Sequence, residues 1–316
     1  MEASESQAVK AAIVGSAPER QEELEELWEE HSPQVNQVSD KEGFTLEAGS
    51  FGLILFDHKT MCNLWLFGFS TQEAFNLFLP YLYLSQITKI PFNPHILTEE
   101  DSKSSHALRI DEIIKAIRAL KEVGSIENIT WPSSVPKPYS GKPSDLNGSM
   151  AFDLLCMVAA YCFLHEFRHV QIRNEGKVLD IHEEEFECDS YARDFLLGKI
   201  DEYSNTTGYD KALLINKRSM AMALASVLLY VITPDAYWNG SSTHPAISER
   251  IKNISSALEV EDDDYFWTYL SCALISVVRI DDIEIQNMVV VDQKSYALFL
   301  IQSIEKHLTS QSARTQ

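Results

Sequence analysis

Apolar residues in this chain fall into blocks whose spacing predicts mostly helices. Between Ile110 and Val123, Ile113, Ile114, Ile117, Leu120 and Val123 share one side and Gly124 follows, which predicts an amphipathic helix with a glycine stop. From Ala151 to Ile172 the apolar run is almost unbroken. Leu154, Leu155, Met157, Val158, Ala159, Tyr161, Phe163 and Leu164 leave no polar face, so this helix is buried. After a break at Asn174-Glu175-Gly176, Phe186, Cys188, Ala192, Phe195 and Leu196 give a second helix one buried side, over 181–197. Lys211 to Ile232, rich in Ala, Met, Leu and Val, reads as a helix ended by Pro234. Asp263 to Val278 and Lys294 to His307 read as helices packed behind the core, with a polar tail after them.

The first half is less regular. Phe51 to Phe56 reads as a strand, Asp57 to Thr60 as a turn and Cys62 to Phe69 as the return strand of a hairpin. Residues 71–89 read as a helix interrupted at Pro80, with Phe75, Phe78, Tyr81 and Tyr83 in the core. Residues 1–40 are polar and acidic. A short helix from Glu19 to Glu30 carries Leu24, Leu27 and Trp28, and the rest reads as frayed. Four prolines between Pro132 and Pro143 make 131–148 a loop, read as an inter-domain linker rather than a wall of a cleft. The fold class expected is α+β, mainly helical, with a small β-sheet. The divisions expected are a partly flexible segment 1–40, a hairpin-plus-helices region 41–140 for substrate or partner, and a helical core 141–316.

Composition narrows the function. A chain of 316 residues, 45% hydrophobic, has material for one large or two modest domains. Its net charge of −21, from 47 acidic against 26 basic residues, argues against nucleic-acid binding and against an anionic membrane surface. The five cysteines are scattered, without C-x-x-C, and fit a reducing cytoplasm. The acidic start lacks the basic and apolar regions of a signal peptide. The apolar runs Ala151 to Leu164 and Met220 to Thr233 fall short of the roughly 20 residues of a membrane span.

The chemistry lies at the end of the most apolar helix, in His165-Glu166-Phe167-Arg168-His169. Histidines four apart share a helix face, so their ring nitrogens can converge on one ion. Imidazole suits zinc, and two such ligands leave room for a third and a water. Glu166 is the non-ligand carboxylate that takes a proton from that water. Two histidines and a glutamate at the end of a buried helix are costly unless something satisfies them.

The next helix offers the third ligand. Glu185 and Asp189 are four apart on one face: Glu185 binds the metal, and Asp189 holds the far nitrogen of a ligating histidine. Glu187 and His182 compete with Glu185. Glu183 and Glu184 read as the acidic first turn of the helix. Further on, Thr243 reads as a helix cap followed by Pro245 in the first turn. His244 or Arg250 is a candidate donor to a developing oxyanion. His58, His95 and His106 have no ligand spacing and receive no role.

These blocks resemble the gluzincin zinc peptidases. Leu164 to His169 with Glu185-x-x-x-Asp189-x-x-Ala192 is similar to the H-E-x-x-H plus E-x-x-x-D pattern of the family that includes the HtpX-type membrane proteases, and Thr243-His244-Pro245 with Arg250-Ile251 resembles its third block. Chain length and the wording H-E-F-x-H-x-Q are closer to peptidase family U49, the phage-exclusion proteases. Cys188 stands where alanine is common in related sequences. The resemblance covers about residues 150–255. It implies a zincin-like core, one zinc ion per chain, and a cytoplasmic endopeptidase that acts in phage defence. It also implies a protein substrate of the elongation factor Tu type and a phage-encoded activator. Two rival readings are a regulatory binding protein of the ImmA/IrrE kind and a structural zinc site closed by His182 or Cys188.

Overall fold

The computed structural model describes residues 4–314; residues 1–3 of the acidic start and 315–316 of the polar tail lie outside the described residues. In chain order the elements are α1 (Glu5–Ser16), α2 (Gln21–His31), β1 (Gln34–Val38), β2 (Leu46–Ala48), β3 (Leu53–Asp57), α3 (His58–Thr88), α4 (Glu99–Ser102), α5 (Ser105–Glu122), α6 (Leu146–Asn174), α7 (Ile181–Leu197), α8 (Ile200–Thr207), α9 (Lys211–Ile232), α10 (Ile247–Ser256), α11 (Tyr265–Ile280) and α12 (Gln293–Arg314). The fold is α+β and mainly helical, with one three-stranded sheet in the order β1-β3-β2. β1 runs parallel to β3, and β2 antiparallel to it with Ala48 opposite Ile54.

Helix α6 is the axle. It packs on α1, α7 and α9, and its outer end meets β2 and β3. Its buried residues lie on every side, as its all-round apolar sequence requires. Helices α6 and α9 are long and apolar enough to span a membrane by length and composition, unlike the shorter runs counted in the sequence. However, 61% and 56% of their most apolar windows are buried inside the molecule. They are core helices packed against protein.

The hairpin forms elsewhere than expected. β2 and β3 make it, and Cys62 to Phe69 is the start of α3, not a return strand. The Asp57 side chain accepts from Thr60 N and caps the helix just where β3 stops. Cys62 and Leu64 through Phe69 are all buried, and an apolar run with no polar alternation has the same signature in a buried helix as in a buried strand. Gly68 lets α3 reach α6: a Cβ there would lie 2.0 Å from Leu155 Cδ2. Pro80 does not interrupt α3. It sits on the exposed face, where water can satisfy the freed carbonyl one turn back.

Residues 5–38 are also more ordered than their composition suggests. α2 carries Leu24, Leu27 and Trp28 as expected, and α1 and β1 add to it, with Ile13, Leu24 and Val35 in the core. Arg20 donates to the carbonyls of Asp194 and Phe195, and Arg218, paired with the buried Glu19, donates to that of Leu196. Two arginines therefore cap the last turn of α7, where four carbonyls have no helical partner. The proline-rich loop packs through Val135 and accepts from Trp65 Nε1 at Pro136 O. It lines no part of the cleft described next.

Candidate metal centre

α6 and α7 lie side by side and point the predicted residues into a cleft of about 810 Å³, walled by β2, the C-terminal half of α9, the 241–245 turn and α10. His165 Nε2 and His169 Nε2 are 3.3 Å apart. Each lies 3.5 Å from a different oxygen of Glu185. His165, His169, Glu185 and Asp189 are all buried.

Carboxylates hold both histidines from behind. Asp189 Oδ1 is 3.0 Å from His165 Nδ1, as the spacing predicts. Glu184 Oε1 is 2.6 Å from His169 Nδ1. Glu184 is thus part of the site rather than only an acidic first turn. Glu183 keeps the expected terminal role, in a capping box with Asp180. The competing ligands are committed elsewhere: Glu187 pairs with Arg168, and His182 Nε2 lies 3.0 Å from Ser241 O.

Arg250 closes the back of the site. Its Nε and Nη2 lie 2.8 and 2.7 Å from the two oxygens of Asp189, and its Nη1 is 3.0 Å from Glu185 Oε2. Bidentate pairing of this kind is the strongest form of carboxylate recognition. Burial alone would raise the Asp189 carboxyl, but the charges and hydrogen bonds of Arg250 and His165 together outweigh it and hold Asp189 at about 2. Glu185, opposed by burial, is likewise lowered by the two histidines and Arg250. For His165, burial favours the neutral ring, yet Asp189 and Glu185 raise it to about 9. Unlike Asp189 and Glu185, the Glu166 carboxyl is raised, by burial. Arg250 also lines the cleft, and its Nε, Nη1 and Nη2 are directed at Asp189 and Glu185.

His244 lines the cleft as well, with Nε2 3.7 Å from Glu185 Oε1. Thr243 is not the expected helix cap. α10 begins at Ile247 after Ala246, with no side-chain cap. Ser241 Oγ instead accepts from the amides of Thr243 and His244, and Thr243 Oγ1 is 2.9 Å from His244 Nδ1. The turn therefore orients the imidazole. His95 and His106 lie outside this cleft, on Ile283 O and Glu73.

Two donor sets fit a metal ion here. One is His165, His169 and Glu185. The other replaces Glu185 with Cys188, whose sulfur lies with both ring nitrogens inside 4.8 Å. Cys188 is the poorer donor. Burial and then Glu185, Glu166, Asp189 and Glu184 hold its thiol protonated, whereas Glu185 is ionised and lies 3.5 Å from each ring nitrogen. Two imidazoles, a carboxylate and outer carboxylates on both far nitrogens suit zinc.

A family model described as Peptidase U49 matches residues 54–270. Among curated proteins, the cell death peptidase of Escherichia coli (strain K12) is 26% identical over 155 residues, 49% of each chain. The match thus spans about half the length of that relative. No solved structure matches.

Proposed function

The chain belongs to the Peptidase U49 family, and from that membership we propose that it is a zinc-dependent endopeptidase. The observation that carries this reading is the convergence of His165, His169 and Glu185, with contacts of 3.3 to 3.5 Å, beside Glu166 in an open cleft. His165, His169 and Glu185 hold the ion. When bound, zinc supplies Lewis-acid chemistry, making water a stronger acid and a peptide carbonyl a stronger electrophile.

The chain's own groups do the rest. A Glu166 carboxylate oxygen takes the proton of the attacking water and later gives it to the leaving amine. Its pKa, raised by burial, suits both transfers. His244 Nε2 donates to the oxyanion from the other side of the cleft. Asp189 and Glu184 fix the ring orientations of His165 and His169.

The same reading includes a cytoplasmic role in phage defence, with elongation factor Tu as substrate and a phage-encoded activator. Its support is the family resemblance; the name of the Escherichia coli relative, cell death peptidase, adds only that a similar protein is a peptidase linked to cell death. Purified elongation factor Tu incubated with the zinc-loaded chain, with and without extract of phage-infected cells, tests it. An intact factor in both mixtures removes this substrate.

The enzyme reading itself is tested by zinc content and cleavage together. About one zinc per chain is expected in the parent and in Glu166→Gln, with hydrolysis only in the parent. Hydrolysis by Glu166→Gln would sink the water-activating role. A second reading, a closed structural site using Cys188, is favoured only if Cys188→Ala loses zinc while Glu185→Ala keeps it.

A further inference from the structure

The cleft edge of the sheet is already occupied. Gly49 N donates to Leu53 O, and Asp57 N to Thr45 O, so the Thr45 carbonyl and the Gly49 amide point toward β3. At the period of two in a strand, Leu46 and Ala48 turn theirs away from β3, toward the cleft. Both outward groups of Ala48 have partners on α6. Its N–H donates to Glu166 Oε2 at 2.6 Å, and its carbonyl accepts from Arg173 Nη1 at 2.9 Å. Arg173 Nη1 also reaches Gly49 O at 2.6 Å.

This pattern has a specific form. In an antiparallel ladder, a hydrogen-bonded pair of residues exchanges both N–H···O bonds. Here the Glu166 carboxylate stands in for the carbonyl of a partner residue, and the Arg173 guanidinium stands in for its amide. We infer that β2 is a self-capped edge: Glu166 and Arg173 imitate one residue of an added strand at Ala48, and an extended polypeptide opens the site by replacing them. Glu166 is then released from Ala48 only when a peptide lies along the edge. Water activation is thereby coupled to occupancy. This coupling rests on the hydrolase reading, whereas the cap itself does not. Arg173 is a positioning residue in this scheme. It lies one turn beyond His169 on α6, and it touches the strand rather than the ligands.

The test uses the full chain loaded with zinc and needs no turnover. Site-resolved amide exchange is followed in the parent, Arg173→Ala, Arg173→Lys and Glu166→Ala. In the parent, the Ala48 amide should exchange at least about tenfold more slowly than that of Leu46, the other outward residue. Glu166→Ala should abolish that difference and Arg173→Ala should reduce it by loosening the carbonyl side of the cap, while exchange in α7 and zinc content stay unchanged. Arg173→Lys should restore it in part, which a general loss of packing would not do.

A second arm measures binding of a reduced, carboxymethylated, unfolded polypeptide to Glu166→Gln. The glutamine oxygen still accepts from Ala48 but does not hydrolyse. Adding Arg173→Ala should tighten binding by about tenfold, because less of the cap has to be displaced. Equal exchange at Ala48 and Leu46 in the parent overturns the cap. Unchanged or absent binding in the double variant overturns the displacement. Absence of hydrolysis by the parent, with both arms as expected, overturns only the hydrolase reading.

Discussion

Glu184 Oε1 lies 2.6 Å from Nδ1 of His169 and does for that ring what Asp189 does for His165. The two outer carboxylates differ in what stands behind them. Asp189 is fully buried and clamped by Arg250, whereas Glu184 is partly open to solvent. Glu184→Ala should therefore leave the fold intact and weaken zinc binding by about 10–100-fold, as loss of an outer partner does. Competition with a chromogenic chelator reads the change. Equal affinity in the two proteins would remove Glu184 from the site.

Zinc uptake should release a proton. His165 is held at about 9 in the metal-free protein, so at neutral pH its ring is protonated, and a ligating nitrogen must be neutral. A group raised in the folded state from its ordinary value of 6.5 stabilises fully below that value, and the contribution is lost as pH rises through about 9. The metal-free protein should lose stability across this window. Over the same range apparent zinc affinity should rise about tenfold per pH unit and then level off. Titration calorimetry in buffers of different protonation enthalpy counts the proton; zero at pH 7 would contradict the assignment.

Removing Arg250 should be costly for a different reason. Asp189 and Glu185 have side chains only 1% and 7% exposed, and Arg250 faces both, as His165 does. Arg250→Ala leaves two carboxylates buried without it, a loss of about 3–5 kcal/mol in the metal-free protein. Denaturant midpoints measure it. A loss under about 1 kcal/mol would mean that the pairing contributes little.

The contact between α3 and α6 gives a contrast of two glycines. Gly68→Ala drives a methyl into Leu155 and should cost about 1–3 kcal/mol. Gly15→Ala, on the exposed side of α1 with nothing within 4 Å, should stabilise by about 0.5–1 kcal/mol. Melting of the two variants in opposite directions would confirm the difference in packing.

The convergence of His165, His169, Glu185 and Asp189 could be read from sequence because their geometry is local. Spacing of four on α6 and on α7 sets which side chains share a face, and the bounds of α7 coincide with its apolar pattern. Asp189 followed from the same spacing. Glu184 was hidden because acidic residues favour a helix's first turn for reasons unrelated to metal. The Cys62 to Phe69 run was misread because burial on all sides erases the period that separates helix from strand. Thr243 looked like a cap until the Ser241 turn claimed its amide. Ala48 and Arg173 are 125 residues apart, and no local pattern joins them.

The long reach of Arg250 also fixes the timing of assembly. Eighty-five residues of chain separate it from His165, and 61 from Asp189. On the ribosome, the histidines and α7 carboxylates are made first and their buried cation last. Through that interval the nascent chain carries His165, His169, Glu185 and Asp189 without the group that holds the two carboxylates together from behind. The pairing is completed only once α10 has been made, so a chain that stops before it lacks the group that joins Glu185 to Asp189.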